Sequence, residues 1–169
     1  WNLISIHISP AEQFYREDED RGPDVIRMME QLRINEDSHH VLLMKDEDGR
    51  FYAPAFGFNN IPFWNVLEGY LIKLEVEEEF EFAGDALGPA TVIELVDGWS
   101  MISYIPQWEM DAPTAFDMLG ENLLIAKDGQ GRFFVPAFGF TNMGDLSEMN
   151  GYQVKLDQAQ DFTYPQANR

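Results

Sequence analysis

Apolar and polar residues alternate from Trp1 to Ser9, with Ile4, Ile6 and Ile8 on one side, which is the pattern of a half-buried strand. From Pro23 the period lengthens, and Val25, Ile26, Met29 and Leu32 recur at helical spacing. Pro23 suits a first turn, and Asp24 suits the positive end of the helix dipole. Val41 to Lys45 and Arg50 to Ala53 then flank Asp46-Glu47-Asp48-Gly49, a hairpin whose Asp residues supply side-chain turn bonds and whose Gly supplies positive φ. Pro54 cannot donate to a ladder and ends the returning strand. After an irregular loop, Gly69 opens another strand, with Tyr70, Ile72, Leu74 and Val76 on one face and Lys73 and Glu75 on the other. Glu79 to Phe82 alternates once more, with Phe80 and Phe82 inward.

The same elements then return. Leu42 to Asn60 aligns without a gap on Leu124 to Asn142, an offset of 82, with 12 of 19 positions identical. The match runs on from Gly69-Tyr70 and Lys73-Leu74 to Gly151-Tyr152 and Lys155-Leu156. Upstream, Trp1-Asn2-Leu3-Ile4-Ser5 mirrors Trp99-Ser100-Met101-Ile102-Ser103 at an offset of 98, so the first copy carries 16 extra residues. They fall in the acidic loop and amphipathic segment from Ala11 to Arg33; the second copy has only Ala112 to Leu119 as a helix, stopped by Gly120.

A solenoid needs at least three stacked copies, so two are expected to pack face to face. The predicted fold is α+β and predominantly β: two pseudo-symmetric repeats, each a strand, helix, β-hairpin, loop and strand pair around a shared core. Repeat 1 spans 1–84, a linker and connecting strand 85–97, and repeat 2 98–169. Each Trp strand is expected to lie near the other and build one compact unit; separate lobes are the alternative.

Composition narrows the partners. Thirty acidic against 11 basic residues leave a net charge of −19, which repels phosphate backbones and anionic head groups, so nucleic acid is a poor partner. Hydrophobic residues make up 45 % of the chain, ample for a core. With no cysteine there are no disulfides, thiolate metal sites or cysteine nucleophiles. No apolar run reaches spanning length, so direct membrane insertion is not expected. A start at Trp1 rather than Met is expected of a chain processed or excised from a larger protein.

Taken in order, Gly98-Trp99-Ser100-Met101-Ile102-Ser103, the Lys-Asp-x-x-Gly hairpin, the Pro-Ala-Phe-Gly-Phe-x-Asn loop and the Gly-Tyr-x-x-Lys-Leu strand resemble a tandem module of large, secreted, multidomain surface proteins of Bacteroidota-type bacteria. In that module the phrase runs Gly-Trp-Asn-Leu-Ile-Ser, then a Lys-Asp-Gly hairpin, then a Gly-Tyr strand. The resemblance covers nearly the whole chain and implies export, and a place beside adhesive or carbohydrate-active modules. It implies no settled activity. The acidic stretch Glu12 to Asp20 departs from the pattern.

Several residues are candidates for chemistry. Asp46, Asp48 and Asp128 sit in turns where carboxylates could hold calcium, though the further acids of an EF-type loop are missing and an ordinary turn explains them as well. His39 and His40 are neighbours on a strand, so they point to opposite faces; with His7 the only other histidine, zinc is not expected. No nucleophile elbow, phosphate loop or zincin helix is present, and the chain is expected to be non-catalytic, without a cofactor. Phe56, Phe58, Phe138 and Phe140 flank repeated glycines, with Asn60 and Asn142 at matching positions to bind sugar hydroxyls or cap the loop. Because the phenylalanines are repeated, symmetric core packing is the favoured reading for them. Trp64 and Trp108 have no aromatic counterpart in the other copy and, if exposed, are the better ligand-binding candidates together with Asn60 and Asn142.

The expectation for function is therefore a non-catalytic extracellular structural or adhesive module of a larger cell-surface protein or assembly, with neighbouring modules or subunits as partners. The alternative is a carbohydrate-binding module that takes a glycan on exposed aromatics.

Overall fold

The computed structural model describes residues 1–167 of the chain. The fold is α+β and predominantly β, with two antiparallel five-stranded sheets, one per repeat. In the first the order across the sheet is Asn2–Ile4, Tyr70–Leu74, Val41–Lys45, Phe51–Ala53, Phe58–Asn59. In the second it is Gly98–Ser103, Gly151–Leu156, Leu123–Lys127, Phe133–Val135, Phe140–Thr141.

Even the register repeats. Asn2 pairs with Ile72 as Ser100 pairs with Val154, and Met44 with Tyr52 as Ala126 with Phe134. The central strand of each sheet carries a bulge at the same place, between Val41 and Leu43 and between Leu123 and Ile125. The extra residues, Leu42 and Leu124, are exposed, as expected where the ladder is locally broken. Each hairpin turns on a glycine in the left-handed region, Gly49 at φ 79° and Gly131 at φ 81°.

One face of each sheet is covered by a short helix. Val25–Met29 is capped by Asp24, whose Oδ1 accepts from the Arg27 N–H at 2.9 Å, and a 3-10 turn, Glu30–Leu32, follows it. Ala112–Ala115 is capped by Asp111, which accepts from Thr114 N–H at 2.8 Å; it ends four residues short of the Leu119 expected, and a 3-10 stretch, Asp117–Asn122, kinked at Gly120, follows it. Under these helices lie two core clusters rather than the single shared core expected. Val25, Met28, Met44, Trp64, Tyr70 and Ile72 belong to the first, and Ile102, Phe116, Leu119, Tyr152, Val154 and Phe162 to the second. Leu67 of the first repeat leans on the second cluster.

The halves are joined by a seam with its own two-fold logic. Ser5 N–H donates to Met149 O (3.1 Å), and its counterpart Ser103 N–H donates to Leu67 O (3.0 Å). Single bridges pair Ile4 with Asn150 and Ile102 with Glu68. Ser5 Oγ donates to Asn150 O (2.6 Å) and accepts from Tyr104 N–H (3.0 Å), so the two Trp strands meet through one hydroxyl. Gly69 and Gly151 face each other at the centre. A Cβ on Gly151 would stand 2.9 Å from Ile4 O, and one on Gly69 3.1 Å from Ile102 O, so only glycine lets the backbones approach this closely.

Several local expectations are corrected. The Trp1-to-Ser9 alternation breaks at Ser5–His7 into two strands, Asn2–Ile4 and Ile8–Pro10, because Ser5 turns into the seam. The latter pairs with Gly84–Ala86, in the segment read as linker. The strand from Gly69 ends at Leu74, leaving Val76 exposed, and Glu79 to Phe82 forms no strand; Phe80 and Phe82 are half-buried and meet edge-on at 5.4 Å. Each Pro-Ala-Phe stretch is a 3-10 turn followed by a two-residue strand that the sequence did not announce.

Candidate functional site: the outer faces of the two sheets

In an antiparallel sheet, residues opposite one another point the same way. The face of the first sheet turned away from its helix therefore gathers Lys73, Leu43, Lys45, Phe51 and Phe58, which follow one another through the strand register. Trp1 joins them at the edge, with the Lys45 ammonium 5.4 Å from its ring centre. The second sheet repeats the set: Trp99 is paired with Lys155, Lys127 with Phe133, and Phe140 follows. Here Lys127 and Lys155 stand 5.0 and 5.8 Å from the Trp99 ring. At these distances each ammonium is drawn to the negative ring face, which holds a flexible side chain in place.

The chain has four lysines, Lys45, Lys73, Lys127 and Lys155, and all four lie on these faces. In a protein of net charge −19 the lysines are thus gathered into two patches, each beside aromatic rings. At the sheet ends Phe51 packs on Phe58 at 4.7 Å and Phe133 on Phe140 at 5.4 Å. The 3-10 turns carry Phe56 and Phe138 out into solvent, 85 % and 84 % exposed. A ring left that open contributes nothing to the core, yet both copies keep it.

This reverses the expectation drawn from repetition. The repeated Phe56 and Phe138 are on the surface, and the unrepeated Trp64 is fully buried. Trp64 packs 4.4 Å from the Tyr70 ring and 6.0 Å from Phe82, in a pocket closed by the segment unique to the first repeat, where the Trp64 backbone N–H donates to Pro23 O at 2.7 Å. Its place in the second repeat is taken by the buried Leu146. Trp64 therefore presents nothing to a ligand. Trp108 is half-buried against the second core, and its carbonyl accepts from the Tyr104 hydroxyl at 2.7 Å. Asn60 and Asn142 are exposed but engaged: each Oδ1 accepts a backbone N–H, from Phe51 and Phe133, at 2.7 Å, and so fixes the aromatic loop.

The turn aspartates are structural in the same way. Asp46 Oδ1 accepts from Asp48 and Arg50 N–H while Oδ2 accepts from Arg50 Nε at 2.5 Å; Asp128 does the same with Gln130 and Arg132. Asp48 pairs with Arg50 Nη2 at 2.8 Å. The three histidines are kept apart: His7 meets Glu148, His40 meets Glu78, and His39 Nδ1 accepts from Val41 N–H. Burial pushes the His39 imidazole below its ordinary value. Among the described residues no cluster of three or more such side chains is arranged to hold a metal ion.

One acidic pair went unnoticed in the sequence. Glu47 Oε2 accepts the Met101 N–H across the seam at 2.8 Å, and Glu68 Oε1 accepts from Asn65 Nδ2 at 2.8 Å. Both line a cavity of about 270 Å³. Burial, and then the Glu47 charge, push the Glu68 carboxyl up to about 7, and burial raises Glu47 as well. The other copy has Gly129 and Asn150 at these positions, so the repeat pattern gave no sign of the pair. The Glu47 carboxyl ties the first hairpin to the second repeat's Trp strand, and the Glu68 carboxyl holds Asn65 in its own loop.

The outer faces are thus the two places where the chain exposes aromatic rings and cations in a repeated arrangement. No family model, no curated protein and no solved structure matches the chain, so what these faces do must be argued from their own chemistry.

Proposed function

We propose that this chain is a non-catalytic structural or adhesive module of a larger extracellular or cell-surface protein or assembly, and that it engages neighbouring modules or subunits through the two outer sheet faces. The observation that carries this reading is the duplicated set of Trp, paired lysines and exposed phenylalanines on a surface that is otherwise acidic. Exposed apolar surface rimmed by polar groups is costly to solubility and is a mark of contact sites.

A second reading, a carbohydrate-binding module, is favoured by the lysine-flanked Trp1 and Trp99 rings, since a flat ring with an adjacent cation suits an anionic sugar. The test is a bead assay. Beads coated with the chain are expected to adhere to one another or to partner surfaces, and to lose adhesion when Trp1, Phe56, Trp99 and Phe138 are all changed to Ala. Adhesion unchanged in that variant would overturn the proposal. A glycan array run in parallel, with and without calcium, separates the readings: specific retention lost in the same variant moves the assignment to carbohydrate recognition.

A further inference from the structure

The pseudo-symmetry fails at one place, and the failure leaves an open groove. In the second repeat, Ile93–Leu95 runs antiparallel to Gln160–Phe162 just before the chain enters the Trp99 strand. Ile93 and Leu95 cover Leu156 and Phe162, which are 1 % and 0 % exposed. The counterparts of Gln160–Phe162 in the first repeat are Glu78, Glu79 and Phe80. They are held in the corresponding place: Glu75 N–H donates to His40 O as Asp157 N–H donates to Asn122 O, and His40 Nε2 meets Glu78 at 3.1 Å as Asn122 Nδ2 meets Gln160 at 2.9 Å. Among the described residues, however, no strand pairs with 78–80. Leu74 and Phe80 are only half-buried, and Val76 is exposed.

The two seam cavities record the same difference. The one beside Ile93–Leu95 measures about 270 Å³; its counterpart, between Trp1 and Phe80, measures about 690 Å³. The larger groove is floored by Ile72, Leu74 and Phe80 and offers the backbone of 78–80 as an unpaired edge.

We propose that this groove is the seat of an extended β-strand with apolar side chains at alternate positions, delivered in line with Trp1 by polypeptide joined ahead of it. Two backbone-paired residues would meet Glu78 and Phe80, and their apolar side chains would cover Leu74 and Phe80 as Leu95 and Ile93 cover Leu156 and Phe162. In-line delivery follows from the geometry: Ile93 and Leu95 precede Trp99 by six and four residues, and the same spacing ahead of Trp1 reaches the seat. Strand addition of this kind takes affinity from main-chain bonds and selectivity from alternate side chains. The seat would tie the module to whatever is fused before it.

The chain itself supplies the probe. Its own sequence Thr91 to Gly98, fused directly ahead of Trp1, places an Ile and a Leu at the required spacing; a second fusion carries Ser at those two positions. Hydrogen exchange across 74–82 is expected to slow about tenfold or more in the first fusion relative to the second, with a higher thermal midpoint. Equal exchange in the two fusions would overturn the proposal. So would protection by the free peptide with none from the fusion, because the strand would then come from a separate chain.

Discussion

Changing Glu68 to Gln removes a titrating group from the seam while keeping an oxygen to accept from Asn65 Nδ2. In the folded chain the carboxyl is raised from its ordinary 4.5 to about 7, mainly by burial. The folded state therefore holds a proton that the unfolded chain releases between these values, and this contribution to stability falls as pH rises from about 4.5 to about 7. At about 1.36 kcal/mol per pH unit the ceiling is about 3.4 kcal/mol. Glu68 is partly open to the 270 Å³ cavity, and solvent screening there reduces the expected effect to about 1–2 kcal/mol. Urea unfolding of wild type and Glu68→Gln at a series of pH values reads this contribution, together with its smaller coupling to the Glu47 charge, because carboxylates distant from the cavity contribute equally to both. The two should be about equally stable at pH 4, and the variant should be about 1–2 kcal/mol more stable at pH 8. A difference that does not change with pH, or a variant that is less stable at pH 8, would refute the reasoning.

Other outcomes follow from the same geometry. Gly151→Ala drives a Cβ to 2.9 Å from Ile4 O, so it should cost about 1–3 kcal/mol in thermal or urea unfolding, and Gly69→Ala rather less at 3.1 Å. Trp64→Ala empties a fully buried site and should cost about 3–5 kcal/mol, whereas Phe56→Ala with Phe138→Ala should stay within about 0.5 kcal/mol of wild type. Asp46→Ala removes a buried carboxylate that accepts from two turn N–H groups and Arg50, and should cost about 1–3 kcal/mol by the same melts, with the more exposed Asp128→Ala less damaging.

The repeated architecture was legible because its devices are local. Asp46 and Gly49, with Asp128 and Gly131, specify hairpins wherever they occur, and Asp24 and Asp111 cap helices that periodicity had already placed. What could not be read depends on contacts distant in sequence. Repetition of Phe56 as Phe138 records a shared constraint without saying whether it acts in the core or on the surface. Trp64 looked free for lack of a partner, but its partner is the segment around Pro23, a neighbour only after folding. The strand Gly84–Ala86 lies among Gly, Asp and Pro, which score poorly for strands, and forms because Ile8–Pro10 needs a partner. Glu47 and Glu68 were two acids among 30 until the seam brought them to one cavity.

The seam has a consequence for selectivity. By fixing one sheet against the other through Ser5, Gly69 and Gly151, it also fixes the distance between the two outer faces. On the proposed reading, a ligand that repeats at that distance would bind its second face as an intramolecular event, at an effective concentration that reaches the millimolar range for short spans, with a gain of about 10²–10⁴ over either face alone. A ligand with the same chemistry at another spacing gains nothing. Two faces of modest affinity would then act as a ruler, and loss of one would cost far more than half of the proposed binding.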